Sequence, residues 1–445
     1  MEQTENKAFY QKLKKLVVPI AIENFMLALV SATDAVMLRM IDQDSMAAVS
    51  QAGQVQFILN MLVLGFASGI GIMAAQYWGK KDTKTIEVIA PLGLKILLGI
   101  GGLFMAAALL VPGFLMRILT NDSVLLALGA RYIRMVAPSY LIGGITQVYF
   151  ALLKNSGSAG KSSAISSFAV VLNIVLNALL IPLLGIEGAA LATVLTRAVE
   201  LVCAVAVNVR SGNIQLRWSL IPRSTPSLLR RDYLHYTAPF IGAGLVWGIA
   251  FMLYSIILGH LGGDAVAANS ITSITKTLIS CASRGVGTGA GIIIGNLLGA
   301  NLLAQAKRDA ARLTKLSAAA GIVTGLVLIA ISPLLVRFAA LTDTASGYLQ
   351  IMLIFCGCNI MAQAVNHAVL DGIFGAGGDA KFDMVTNIFA MWCFSVPLGL
   401  LGAFVWKWPV PLVYCFVNLD EIVKLPAVFI HYKKYIWLRN ITREV

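Results

Sequence analysis

The sequence predicts an all-α integral membrane protein: twelve transmembrane helices in two six-helix lobes, related by a pseudo-twofold axis along the membrane normal. Three observations predict it. The first concerns solvent, because 58% of the 445 residues are hydrophobic and 12% charged, with a mean hydropathy of +0.82, whereas roughly 25% of an average soluble domain is charged. The second is duplication. Laid against itself, the chain places 44–79 on 264–299 without a gap, and Asp44, Ala47, Ala48, Ser50, Gly65, Gly69, Gly71, Ile72 and Gly79 fall on identical residues. The same register pairs Pro19 with Pro239, Gly157 with Gly377 and Lys161 with Lys381, so the repeated unit is half the chain. The third is the placing of the basic residues, which favours one set of loops over the other.

A span needs about 20 apolar residues, and twelve stretches supply it: 16–38, 46–77, 86–111, 123–152, 162–184, 187–209, 234–258, 265–298, 310–335, 346–374, 384–405 and 409–432. An even count puts both termini on one side. Loops and tails on that side hold 23 of the 34 Lys and Arg, while the opposite ends hold six, Arg39, Arg117, Arg131, Arg134, Arg337 and Lys407. Because Lys and Arg accumulate on the cytoplasmic face, both termini are expected there. Six helices per half means that the halves enter the membrane the same way round, which sets their axis along the normal. The domains follow: 1–210 is the N-terminal lobe, 211–232 a polar, basic, proline-broken cytoplasmic linker, and 233–445 the C-terminal lobe.

The second helix of each repeat carries a GxxxG pair, Gly65 with Gly69 and Gly285 with Gly289. Such a pair frees one side of a helix for close approach of another backbone. Two similar halves in lipid suggest a transporter with its substrate between them. The net charge of +13 sits in short loops between apolar runs, where it sets topology, so no nucleic-acid partner is expected. All six cysteines lie in apolar runs without CxxC, which reads as buried small hydrophobes and not as disulfides or a zinc site. The first apolar run follows Lys12, Lys14 and Lys15 and ends in charged residues without a small-residue cleavage site. The first span itself is therefore expected to direct insertion.

Seven segments in order carry a resemblance to a known family. They are Asp34 late in the first helix, LNMLVLGFASG followed by AAQYWGKKD, NIVLNALLI, GAALATVLTRAVE, GNLLGAN, FGAGGDAKF, and the terminal LDEIVKL with WLRNIT. Together they make the chain resemble the bacterial multidrug and toxic compound extrusion (MATE) transporters over essentially its whole length. The resemblance implies secondary active efflux, in which Na+ or H+ moves inward as a drug or small metabolite moves outward, by rocking of the two lobes. It implies a multi-pass protein of the bacterial inner membrane acting as a monomer on a small-molecule substrate, with no cofactor beyond the coupling ion.

The coupling candidates are Asp34, Asn173, Asn177 and Thr193. At 1.5 Å per residue Asp34 stands roughly 27 Å above a start near residue 16, Asn173 and Asn177 roughly 16 and 22 Å above one near 162, and Thr193 about 9 Å below the outer surface. Asn173 and Asn177 are one helical turn apart and share a face. One carboxylate among neutral oxygens suits a hard monovalent cation such as Na+, while a desolvated carboxylate alone could couple by taking a proton. The family's cation site is formed at these motif positions. Some members have a second aspartate where this chain has Asn177, which places a two-carboxylate proton mechanism in doubt. Many also carry a glutamate five residues after the proline of the seventh helix, where Pro239 is here followed by Gly244.

Glu23, Gln51, Lys276, Arg284, His367 and Asp371 are the candidates for the substrate cavity. Glu23 could equally snorkel to the cytoplasmic surface. Lys276 and Arg284 lie within an apolar run, where an unpaired base is costly, so each should line water or find a partner. Asp371, with His367 one turn before it, could be the counter-ion of Arg284. Asp420, Glu421 and Lys424 can pair at helical spacing, as can Arg197 with Glu200. A flippase for a lipid-linked precursor or polysaccharide is the closest alternative, since it shares the duplicated architecture. A membrane-embedded enzyme lacks support, because there is no HExxH, no DDxxD and no GxSxG. SGSAGKSS at 156–163 has Asn155 where a phosphate loop needs its first glycine.

Overall fold

The computed structural model describes residues 2–39, 43–216, 225–339 and 341–444; side chains at 2–6, 8, 30–32, 34–36, 38, 39 and 43 fall outside that description. Helices form throughout, and no strand occurs among the described residues. A backbone in lipid must satisfy its own N–H and C=O groups, and a helix does so within one segment. Seven helices run from the start through the first repeat: α1 Glu2–Arg39, α2 Gln43–Gly79, α3 Thr83–Leu110, α4 Pro112–Leu119, α5 Ser123–Leu153, α6 Ala159–Leu184 and α7 Ile186–Ser211. The second repeat holds α8 Ser227–Gly259, α9 Gly263–Gly299, α10 Leu303–Phe338, α11 Asp343–Asn366, α12 Ala380–Asn387, α13 Val396–Leu400, α14 Val410–Val417 and α15 Asp420–Lys433. Within the stretch expected as linker, 211–232, α8 begins at Ser227, and residues 217–224 lie outside the described residues.

Nine helical runs among the described residues are long and apolar enough to cross a membrane. One of them, Ser123–Leu184, holds two spans joined at Lys154–Ser158, where Gly157 takes φ +79° and turns the chain. Only glycine adopts that left-handed backbone without strain. The span expected at 409–432 is broken at Asn418–Leu419 into α14 and α15. There the Asn418 amide donates to Tyr414 O at 3.1 Å, and the Asn418 carbonyl accepts from Asn359. Wider π-helical turns continue α11 through His367–Phe374 and α12 through Ile388–Ser395, the kind of local re-aiming found at functional positions in helices.

By contact the chain divides into two compact units, Met1–Ala21 with Gly242–Arg443, and Ile22–Ile241. The cuts fall inside α1 and α8, each just past a helix proline, Pro19 and Pro239, which are themselves a pair in the internal repeat. In the unit Ile22–Ile241, the GxxxG face of α2 meets the start of α8. A Cβ at Gly65 would stand 2.7 Å from Ile241 Cγ1, and one at Gly69 would collide with the Thr237 side chain. Tyr233, fully buried, donates its hydroxyl to Phe66 O at 2.9 Å and ties the same crossing. The core of this unit runs through Ile70, Met73, Tyr77, Ile89, Leu94 and Tyr149.

The other unit repeats the arrangement with the equivalent helices of the duplication. The GxxxG face of α9 meets the start of α1, where a Cβ at Gly285 would stand 3.0 Å from Ala21 Cβ and one at Gly289 2.7 Å from Val17 Cγ2. Gly287 packs equally closely on the backbone of His367, and Gly372 on that of Gly287, so α9 and the end of α11 lie almost backbone to backbone. Small residues permit such contacts where no hydrophobic force drives helices together. The terminal WLRNIT segment closes this unit. Trp437 is fully buried, and Arg439 donates to Gly377 O and Gly378 O at 2.7 Å, satisfying carbonyls where Gly378 turns the chain at φ +72°.

Candidate functional site

Asn173 and Asn177 are both buried on α6, and the Asn177 amide donates to Asn173 Oδ1 at 3.2 Å. Their shared face, expected from one-turn spacing, is therefore a bonded pair of carboxamides inside the unit. Thr193 on α7 is half-buried, and its hydroxyl donates to Ala189 O on its own helix at 3.0 Å, which leaves its oxygen lone pairs as the group it can offer. Asp34 lies on α1, and its side chain falls outside the described residues.

Glu23 does not snorkel. It is 6% exposed, its Oε1 accepts from Lys154 Nζ at 2.9 Å, and its Oε2 accepts from Ser163 Oγ at 3.0 Å. Both partners flank the turn at Gly157, so the ion pair fixes the junction of α5 and α6 against α1. Sequence reasoning misses Lys154, because a contact so distant along the chain leaves no periodic signal. Gln51 on α2 is half-buried.

In the second repeat, Asp371 is not the counter-ion of Arg284 as expected. It sits beside His367, four residues before it, whose Nδ1 lies 2.6 Å from Asp371 Oδ2. Arg284 is exposed on α9 and makes no ion pair among the described residues. Lys276, one face round on the same helix, donates to Asn418 Oδ1 at 3.4 Å, at the break between α14 and α15. The base thus meets a neutral amide where the helix is interrupted.

A larger charged cluster lies behind that break. Lys424 Nζ stands 3.4 Å from Asp420 Oδ2, 3.3 Å from Glu421 Oε1 and 2.9 Å from Asn387 Oδ1. Asn387 in turn donates to Asp383 Oδ1 at 2.9 Å, and Asn366 donates to Glu421 Oε2 at 2.7 Å. All six side chains are buried. The pairing of Lys424 with Asp420 and Glu421 follows the helical spacing expected, and so does Arg197 with Glu200 at 2.7 Å. Asp383, Asn387 and Asn366 are additions that the structure alone supplies, although Asp383 and Asn387 are four apart within an apolar span and could have signalled a polar face. Three carboxylates around one ammonium leave an excess of negative charge in a medium that tolerates little of it.

The duplicated helices, the glycine crossings and the buried polar side chains within the spans define a multi-pass helical membrane protein built as two repeats. The profile of the MatE family matches residues 19–179 and 239–401, one match per repeat, and the two matches begin at the paired prolines Pro19 and Pro239. The chain belongs to this family. It is 21% identical to the uncharacterized transporter YisQ of Bacillus subtilis over 99% of this chain and 97% of that one. It is 24% identical to the probable multidrug resistance protein NorM of a Synechocystis species, covering 94% and 92%. Among solved structures, a mutant of the Vibrio cholerae MATE transporter VcmN superposes with a TM-score of 0.89 at 17% identity, over 98% of this chain and 100% of that one. A MOP superfamily transporter from Pyrococcus furiosus, whose binding pocket is described as of reverse polarity, superposes at 0.83 with 18% identity, covering 96% and 95%.

Proposed function

We propose that the chain is a secondary active multidrug exporter of the bacterial inner membrane, with cytoplasmic termini, that exchanges a small molecule for an inward-moving cation by alternating access of its two repeats. The observation that carries the reading is the buried Asn173–Asn177 pair in the repeat whose first helix bears Asp34. An acid within a spanning helix is functional by default, and neutral carboxamide oxygens add ligands without adding charge. Asp34, Asn173, Asn177 and Thr193 would hold the cation, and sodium suits this oxygen set better than a proton does. The names of the multidrug resistance relatives support export of drugs.

The substrate is anionic, zwitterionic or amphipathic on this reading. Gly244 stands where the family resemblance expects an acid, and Arg284, exposed on α9, adds a base in no ion pair among the described residues, while Lys276 lies within electrostatic reach of Asp420 and Glu421. Asp34→Asn tests the assignment in proteoliposomes. The variant is expected to fold as wild type and to lose gradient-driven exchange; full exchange by the variant would contradict the coupling site.

A further inference from the structure

At one end of the unit formed by Met1–Ala21 and Gly242–Arg443, α1, α9 and α10 enclose a cavity of about 190 Å³. Its inner wall is apolar, built from Ile293, Leu297 and Phe9. Its rim is basic. Gln305, Arg308, Asp309 and Arg312 recur on α10 at intervals of three, four and seven residues, hence on one face, and Lys12 joins them from α1. The three bases face one acid, an excess of two positive charges.

The acid is already committed. Asp309 is 4% exposed and accepts from Arg312 Nη1 at 3.1 Å, while the Arg312 guanidinium also lies 5.7 Å from the centre of the Phe9 ring. Arg312 is thereby held between a carboxylate and an aromatic face. Lys12 and Arg308 are exposed at the mouth, and neither is in an ion pair among the described residues. A ligand that answered this arrangement would be an anion with several acceptor oxygens, since guanidinium groups engage phosphate with paired N–H donors. Lys12 precedes the first span and 305–312 open α10, so the cavity lies at the boundary between membrane and water. Basic pockets between helices at that depth receive phosphorylated headgroups.

We propose that the cavity between Phe9, Lys12, Arg308 and Arg312 is a binding site for a phosphate-bearing anion, either the headgroup of an anionic phospholipid or a soluble phosphate. This site is separate from the transport reading and does not depend on which ion drives exchange.

The test is native mass spectrometry of the purified, delipidated full-length chain titrated with phosphatidylglycerol, with phosphatidylcholine, and with inorganic phosphate. Wild type is expected to bind phosphatidylglycerol at least tenfold more tightly than phosphatidylcholine if the source is lipid. It is expected to retain inorganic phosphate, and to lose phosphatidylglycerol to it, if the source is soluble. In either case Lys12→Ala with Arg308→Ala should lose the preference, because these exposed bases stand at the mouth and outside the Asp309–Arg312 pair. Lys315→Ala, an exposed base that does not line the cavity, should keep it. Unchanged thermal unfolding midpoints in the absence of added anion establish that both variants are folded. No preference in wild type for either anion, or a preference that survives in the Lys12→Ala, Arg308→Ala variant, would overturn the proposal.

Discussion

Thr237 of α8 occupies the space that Gly69 of α2 leaves by having no side chain, and at the equivalent place in the duplication Val17 of α1 occupies the space left by Gly289 of α9. The opening half-helix of each repeat is thus received by a glycine face in the other repeat's unit, and both contacts obey the internal symmetry of the sequence. Overfilling a packed site costs about 1–3 kcal/mol. Gly69→Val and Gly289→Val are each expected to lower stability by about that amount, read as thermal unfolding in detergent. Gly53→Ala on the same α2 should not, since a Cβ there meets nothing within 4 Å.

The Glu23–Lys154 pair predicts a double-mutant cycle. Lys154→Met leaves the buried Glu23 carboxylate with only Ser163 and should destabilise by up to about 3 kcal/mol, while adding Glu23→Gln should restore most of the loss. A double variant as unstable as the sum of the single changes would show that the pair does not couple.

Around Lys424 the charge count sets the sign. Lys424→Met strands three buried carboxylates and is expected to cost about 3–5 kcal/mol or to prevent accumulation in the membrane. Asp383→Asn reduces the excess of negative charge and should be neutral or stabilising, because Asp383 forms no direct ion pair with Lys424 and is joined to it by hydrogen bonds through Asn387. Thermal unfolding of both variants checks the pair of signs.

These three sites show how far the sequence can be read. Contacts within one helix are legible from spacing: Asn173 with Asn177, Arg197 with Glu200, and Lys424 with Asp420 and Glu421. The duplication and the glycine faces are legible as well, since identity at a fixed offset and GxxxG need no coordinates. What faces those glycines is not, because Thr237 and Val17 are ordinary residues that become partners only when α1 and α8 divide between the units. Contacts between helices, such as Glu23 with Lys154 and Asn366 with Glu421, carry no period. An Asp371–Arg284 pair would likewise be a contact between helices and does not form among the described residues, whereas His367 with Asp371 follows the four-residue spacing.

The bases on α9 predict substrate charge. Lys276 lies within electrostatic reach of Asp420 and Glu421, so the repulsion falls on Arg284, where a like charge at 4 Å would be repelled by about 4 kcal/mol for an effective dielectric near 20. Cells expressing wild type should export a simple quaternary ammonium dye poorly, and Lys276→Ala with Arg284→Ala should raise that export. Strong dye export by wild type that is unchanged or reduced when the bases are removed would count against an anionic or amphipathic substrate.

Coupling by sodium at Asp34, Asn173, Asn177 and Thr193 is tested most directly by solid-supported-membrane currents from proteoliposomes, with sodium and pH gradients imposed independently at fixed membrane voltage. The expected result is a substrate-dependent current driven by a sodium gradient at equal pH, absent in Asp34→Asn. A current that ignores sodium and follows the pH gradient would contradict it.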